Sequence, residues 1–449
     1  MRIVSPVDAM FLLTESGARP MHVGSVLLFE PPPESGPDFA QAAYAILTAG
    51  SVVHPRFRTR PTRTFGSPQL MWTTDRDVDL DYHVRRWALP APGGLDELFE
   101  LTSQLHGALL DRDRPLWEMH LIEGLRDGRI ALYSKMHHAL IDGVSALRLV
   151  QSTLTSDPTS TRTRPPWQLP PPRHHRTQSR SLVGTAANSL LSAVTAGPAA
   201  LRIVRAAFDQ QLISPFDVPR TLFNVPVSAP RRCAGRSWPL ERIKLVKKAT
   251  GCTINDIVLA MSAGALRDYL SERNALPTKP LVAMVPVSLR PIDDEDDTTD
   301  NQVAALLCNL ATDERDPVKR LETITQSMRC GKELYRSLSR IEATALSALL
   351  LSPLTLTQLP GLAARTNPPF NIVISTVPGP QEALYWNGAR HDATYPMSIP
   401  VHGLAAGITV TSNASTLDFG LTSCRRALPD LHPIFDHLDR TLTVLEQVC

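Results

Sequence analysis

The sequence predicts an α/β protein built as two sandwich domains side by side. Three observations carry that expectation. The chain has 449 residues, too many for one compact core and natural for two domains. The stretch Asp157 to Arg180 (DPTSTRTRPPWQLPPPRHHRTQSR) is dense in Pro, Ser, Thr and Arg, has almost nothing to bury, and reads as a surface linker. On both sides of it, segments of strand periodicity are mixed with segments of helix periodicity, the pattern of α/β layers. The expected organisation is a first domain over 1–156, a linker and helical connector over 157–214, and a second domain over 215–449. No internal repeat is visible.

The elements follow in chain order. Leu116 to Glu123 (LWEMHLIE) alternates, with Trp117, Met119 and Leu121 on one face. Asp127-Gly128 supplies a turn pair, and Arg129 to His137 alternates again through Ile130, Leu132 and Met136. An Asp-Gly between two alternating runs is a strong hairpin signal. The period then changes: Val144, Leu147, Val150 and Leu154 recur at helical spacing, so His137 to Gly143 is a strand-to-helix loop. Beyond the linker, Leu240 to Ala249 reads as a helix with Gly251 as its stop. Thr253 has the character of an N-cap, with Asp256 in the first turn complementing the helix dipole. The helix it starts runs through Ile257, Met261, Ala265 and Tyr269. Strands are expected at Leu281–Leu289, Val303–Ala311 and Asn371–Val377, and a second hairpin joins Gly407–Ser412 to Leu417–Ser423.

Composition narrows the function classes. Apolar residues at 43% and charged residues at 20% are globular values. A net charge of +2 lacks the basic surplus of a nucleic-acid binder. Only seven lysines contribute to the 46 cationic side chains, so arginine dominates. That bias suits phosphate recognition, and genomic base composition produces it equally well. The six cysteines show no C-x-x-C spacing, and MRIVSPVDAM lacks a secretory pattern, so a cytosolic enzyme with free thiols is expected. No uncharged apolar run reaches the eighteen or so residues of a spanning helix. Leu182 to Val204 and Ala343 to Ala364 come nearest, as buried core helices or as a surface resting on a membrane or lipid droplet.

The most informative segment is Lys135-Met136-His137-His138-Ala139-Leu140-Ile141-Asp142-Gly143. With this composition, H-H-x-x-x-D-G arises by chance in roughly one such chain in a thousand. A second doublet, His174-His175, lies in the Pro-rich linker with no Asp-Gly after it and reads as exposed linker. An imidazole at a strand end projects into a cleft, and its neutral form can take a proton from a hydroxyl near pH 7. A carboxylate four residues on, past the bend, fixes local geometry through an ion pair. Gly143 removes the side chain where the backbone turns sharply or a substrate approaches. Two other readings stand beside this one. Zinc ligation by His137, His138 and Asp142 lacks a visible fourth ligand, and a purely structural pair sits oddly on a loop, where function concentrates. No G-x-S-x-G elbow exists, and no cysteine has a nucleophile's context.

HHALIDG resembles the HHxxxDG signature of the coenzyme-A-dependent acyltransferase superfamily, which includes chloramphenicol acetyltransferases and peptide-synthetase condensation domains. SPVDAMFLL (Ser5–Leu13), PMHVG (Pro20–Gly24), PLWEMHLIEGL (Pro115–Leu125) and NDIVLAMSAGALRDYL (Asn255–Leu270) narrow the resemblance. So do PLVAMVPVSLR (Pro280–Arg290), VPGP (Val377–Pro380) and LDFGL (Leu417–Leu421). Together they are similar to the bacterial wax ester synthase/diacylglycerol acyltransferase family, over essentially the whole chain outside the linker. Departures are Asp300 where Gly usually precedes Asn-Gln, Ser375-Thr376 where Ser-Asn often precedes VPGP, and Ala146 after Ser145.

The resemblance implies two chloramphenicol-acetyltransferase-like domains with an active-site tunnel between them. It implies transfer of a long-chain acyl group from acyl-CoA to diacylglycerol, giving triacylglycerol. A long-chain alcohol, giving a wax ester, is the next acceptor. A condensation-type enzyme and a catalytically silent lipid-binding relative are the remaining alternatives. His138 becomes the general base and His137 its neighbour. Asp142 corresponds to an aspartate that points away from substrate and pairs with an arginine, for which Arg290 is the candidate. Asn255 and Asp256 match the family's Asn-Asp pair, in the site or as helix caps. No metal and no resident cofactor are implied. Acyl-CoA is a co-substrate, and the expected location is cytoplasmic, with peripheral contact to the inner face of the plasma membrane or to lipid droplets.

Overall fold

Two six-stranded sheets organise the chain in a computed structural model that describes residues 2–50, 52–62, 70–161, 164–168, 218–288, 303–358 and 367–448. The first sheet contains His22–Glu30 (β2), Val84–Ala88 (β5), Trp117–Glu123 (β6), Ile130–His137 (β7), Tyr385–Trp386 (β12) and Ala389–Met397 (β13). Its order is β12-β13-β2-β7-β6-β5. The second contains Arg231–Pro239 (β8), Val282–Ser288 (β9), Val303–Asn309 (β10), Ile372–Val377 (β11), Ala406–Asn413 (β14) and Thr416–Cys424 (β15). Its order is β10-β9-β11-β14-β15-β8. A small third sheet joins Arg2–Ile3 (β1), Thr59–Thr62 (β3) and Met71–Thr74 (β4) in the order β1-β4-β3.

Helices Pro6–Thr14 (α1), Phe39–Thr48 (α2), the single turn Leu80–His83 (α3), Leu95–Gly107 (α4) and Gly143–Gln151 (α5) accompany the first sheet. Leu240–Thr250 (α6), Ile254–Ser271 (α7), Pro317–Ser337 (α8), Arg340–Thr357 (α9) and His432–Val448 (α10) accompany the second. Both expected hairpins form, and Gly128 takes the left-handed φ of +80° that its turn requires. Gly251 ends α6 at φ +71°, and Thr253 with Asp256 closes a capping box on α7. Helix α7 is buried from Asp256 through Leu266 because α6, α8 and α10 pack around it.

The linear division into domains needs one amendment. Strands β12 and β13 lie within residues 215–449, yet β13 completes the first sheet beside β2. Arg390 pairs with Glu30 across that edge, backbone to backbone and through a 2.8 Å ion pair. Alternation in β6 and β7 also understated burial: the second face, with Glu118, His120 and Lys135, is buried as fully as the first. These charges survive burial by pairing. Lys135 Nζ lies 3.6 Å from Glu118 and donates to the carbonyls of Leu105 and Ala108 at the end of α4.

Of the two apolar stretches, 182–204 lies outside the described residues. The described part of the other belongs to α9, where Ala343, Leu346 and Leu351 are buried and Leu349 is 46% exposed. Among the described residues no single helix is long and apolar enough to cross a membrane.

The sheets meet where β13 lies against β15 and β8, and bare backbone makes that approach close. A β-carbon on Gly420 would collide with Pro396 O, and one on Gly235 with the Tyr395 ring. Gly420→Ala should therefore lower stability by about 3 kcal/mol, since a backbone carbonyl cannot step aside as a side chain can. Urea unfolding with an unchanged m-value is the check.

Candidate active site

The histidine pair sits where β7 runs out and the chain turns into α5. His137 is the last paired residue of β7, opposite His22 in β2. The His138 amide donates to Met21 O at 2.9 Å. The amides of Leu140 and Ile141 then fold back onto His137 O at 2.8 and 3.3 Å, which closes the turn. Asp142 caps α5: Oδ1 accepts from Ser145 N at 2.9 Å and Oδ2 from Ser145 Oγ at 2.7 Å. Gly143 is the first helical residue, without a left-handed φ. A β-carbon there would make only an ordinary 3.6 Å contact with Val23. Of the two roles expected for Gly143, the sharp turn is not used; room for substrate remains.

His138 is half-buried, and the Phe11 ring stacks on it at 4.2 Å with 22° between planes. Loss of hydration lowers its pKa below the usual histidine value. Asp142 opposes that shift, His137 adds to it, and an interaction with its own backbone opposes it. The ring is thus neutral at neutral pH. A neutral imidazole keeps one ring nitrogen unprotonated and able to accept a proton.

His137 is fully buried and points elsewhere. Its Nδ1 accepts the Ala139 amide hydrogen at 3.1 Å, so Nε2 carries the proton and faces Glu15 Oε1 at 3.3 Å. Glu15, with its side chain 2% exposed, also accepts from Met21 N at 3.0 Å and from Arg112 Nε and Nη2 at 3.0 and 2.9 Å. Burial alone would raise the Glu15 pKa; His137, the Met21 amide and Arg112 outweigh it and bring it down to about 2. The two histidines therefore divide the work. His137 belongs to a buried ionic cluster, and His138 stands outside it, half-buried under Phe11. With Nδ1 of His137 accepting the Ala139 amide and Nε2 turned toward Glu15, the pair is not arranged as zinc ligands. Among the described residues no group of three or more His, Cys, Asp or Glu is placed to hold a metal ion.

The structure brings His137, His138, Asp142 and Gly143 together. Arg290 lies outside the described residues. The Arg56 guanidinium is within the electrostatic reach of Asp142 and of Asp8; burial lowers its pKa and these carboxylates partly restore it. Asp256 stands at the start of α7, where Oδ2 accepts from Thr253 N and Oγ1 at 3.0 and 2.7 Å, the helix-cap role. Its neighbour Asn255 makes no side-chain hydrogen bond among the described residues. Sequence reasoning missed Glu15, Arg112 and Phe11. The available signal was a lone glutamate between the apolar SPVDAMFLL and PMHVG, a poor place for a charge unless the fold pairs it.

A family model described as the wax ester synthase/diacylglycerol acyltransferase catalytic domain matches residues 4–258. The corresponding C-terminal domain matches residues 299–446. A probable diacylglycerol O-acyltransferase of Mycobacterium tuberculosis, tgs2, is 51% identical over 451 residues, covering 100% of this chain and 99% of its own. A putative diacylglycerol O-acyltransferase of the same organism is 51% identical over 447 residues, 99% of each chain. Among solved structures, the wax ester synthase/diacylglycerol acyltransferase from Marinobacter aquaeolei VT8 superposes with a TM-score of 0.82 at 36% identity, over 100% of this chain and 99% of that one. The first condensation domain of the CDA synthetase shares the fold at a TM-score of 0.59 and 16% identity, over 99% of this chain and 94% of that one.

Proposed function

The chain belongs to the wax ester synthase/diacylglycerol acyltransferase family, and we propose that His138 is its general base in making triacylglycerol. The enzyme is an acyl-CoA-dependent O-acyltransferase, and diacylglycerol is its acceptor. The observation that carries the role of His138 is its placement: a half-buried, neutral imidazole at a strand end, with its backbone held by Met21 and one ring face covered by Phe11.

In this reading acyl-CoA and diacylglycerol meet in a tunnel between the two halves. His138 takes the acceptor's hydroxyl proton as that oxygen attacks the thioester carbon. The tetrahedral oxyanion collapses, the C–S bond breaks, and CoA leaves as a thiolate that receives the proton from His138. No acyl-enzyme is required, and holding both substrates in register supplies much of the rate. Asp142 acts on this step through the fold, by starting α5 directly after the histidine turn. The enzyme uses no resident cofactor. We place it in the cytoplasm with peripheral contact to a membrane or lipid droplet, because its acceptor dissolves in lipid. The 75% and 57% exposure of Ile3 and Leu13, flanking the segment that packs on His138, supports that location.

The test is direct. Labelled palmitoyl-CoA is supplied with either diacylglycerol or hexadecanol in detergent or on liposomes, and the lipids are separated. Labelled triacylglycerol as the main product is expected. Wax ester in preference to triacylglycerol would reverse the acceptor assignment, and no labelled ester from either acceptor would sink the reading.

A further inference from the structure

Two arginines and a histidine gather on the loop that carries the chain from β13 in the first sheet to β14 in the second. Arg231, 3% exposed, donates to the carbonyls of Ser228 and, at 3.2 Å, Pro400. Arg19 Nη1 donates to Gln358 O at 3.0 Å, and Gln358 Nε2 donates to His402 O at 3.0 Å. His402 Nδ1 accepts the Val227 amide hydrogen at 3.0 Å, which places the neutral ring's proton on Nε2. Among the described residues, His402 Nε2 and Arg19 Nη2 have no hydrogen-bond partner, and neither arginine has a carboxylate partner. These hydrogen bonds tie both arginines to the loop that carries His402, and burial and the fields of Arg19 and Arg231 lower the His402 pKa. Arg231 is a buried guanidinium without a counter-charge among the described residues, and Arg19 and the His402 ring N–H lie half-buried at its side with donors to spare, an arrangement that suits an anion.

The cluster belongs to the same seam as the reaction centre. Arg19 is two peptide units, at most ~7 Å of chain, from Met21, whose carbonyl holds the His138 amide. Ser398, at the start of the loop, accepts from His106 Nε2 at 3.0 Å, and His106 O lies 2.6 Å from His22 Nε2. The cluster thus borders the segments that hold His138 and its strand, offset from the ring itself. Acyl-CoA has that layout: the pantetheine arm separates the thioester from its phosphates. Diacylglycerol is uncharged.

Resting on the acyltransferase reading above, we propose that Arg19 and His402 bind a phosphate of the acyl-CoA donor, with Arg231 behind them adding charge. Guanidinium and imidazole N–H donors form charge-assisted hydrogen bonds to an ionised phosphate.

Arg19→Gln and His402→Gln test it, each assayed with palmitoyl-CoA and with S-palmitoyl-pantetheine, which lacks the phosphates. Each variant should raise KM for palmitoyl-CoA roughly tenfold or more, with kcat little changed. Kinetics with S-palmitoyl-pantetheine should match wild type, which also shows the fold intact. Arg19→Lys should recover part of the loss. Equal losses on both donors would mean that these residues only tie the loop, and would overturn the proposal. So would inhibition by phosphatidate vesicles that disappears in Arg19→Gln while KM for palmitoyl-CoA stays unchanged, which would assign a lipid headgroup instead. Wild type that makes no triacylglycerol from palmitoyl-CoA overturns the acyltransferase reading together with this one; an active wild type whose variants keep its KM overturns this one alone.

Discussion

His138→Ala should lower kcat/KM for triacylglycerol formation by about a hundred- to ten-thousand-fold, the usual contribution of a positioned base. The size of the effect follows from the division of labour between the two histidines. His137 already has a backbone donor on Nδ1 and Glu15 facing Nε2, so it cannot take over as base. The ring of His138 is only half-buried and, among the described residues, stacks on Phe11, so its loss leaves the strand-to-helix turn standing on backbone hydrogen bonds. The variant should unfold near the wild-type denaturant midpoint, which separates lost chemistry from lost structure. The pH profile gives a second readout. A base must be unprotonated, and burial holds the His138 pKa below that of a free histidine. Activity should therefore be flat through neutrality and fall only as the pH drops through that lowered pKa. The acid limb should vanish from the residual rate of His138→Ala. An alanine variant within a few-fold of wild type, with the same acid limb, would remove His138 from the mechanism.

Much of this arrangement was legible because the chemistry is local. A hairpin turn and a change of period from two to 3.6 place the histidine doublet at a strand end from residues 116–154 alone. Asp142 caps through the same short-range geometry that made Asp256 readable as a cap. What escaped depends on distant pairing. Nothing within Ala389–Met397 announces that it pairs with His22–Glu30 rather than with its own half of the chain. Glu118, His120 and Lys135 occupy positions that alternation marks as outward. They are buried because α4 returns over that face and offers its terminal carbonyls to Lys135. The partner of Asp142 is a case of its own. The resemblance pointed to Arg290, outside the described residues, and the cation whose field the described structure brings to Asp142 is Arg56.

Glu15→Ala should be costly in both stability and rate. Its carboxylate joins three separate pieces of the site: the buried His137, the Met21 amide and the Arg112 guanidinium, itself bound to Leu12 O at 2.6 Å. Removing one member of a buried ionic cluster leaves the others desolvated without compensation, at about 2–4 kcal/mol. The pH dependence has a definite sign. The folded pKa of Glu15 is about 2 against an ordinary 4.5, so its stabilisation is complete above about 4.5 and is lost as the pH falls through about 2. A depression of that size corresponds to about 3 kcal/mol, in line with the ion-pair argument. The wild type should therefore outlast Glu15→Ala in urea at pH 7 and lose that advantage in acid. The kinetic consequence runs through position. Glu15 holds the Met21 amide, and the Met21 carbonyl holds the His138 amide, so kcat should fall by roughly tenfold with KM nearly constant. Glu15→Gln keeps an acceptor for the Met21 amide and loses the charge opposite Arg112, so it should recover rate more than stability. If both variants matched wild type in urea and in kcat, the buried cluster would be incidental to the site. If stability fell and kcat did not, the position of His138 would owe nothing to Glu15.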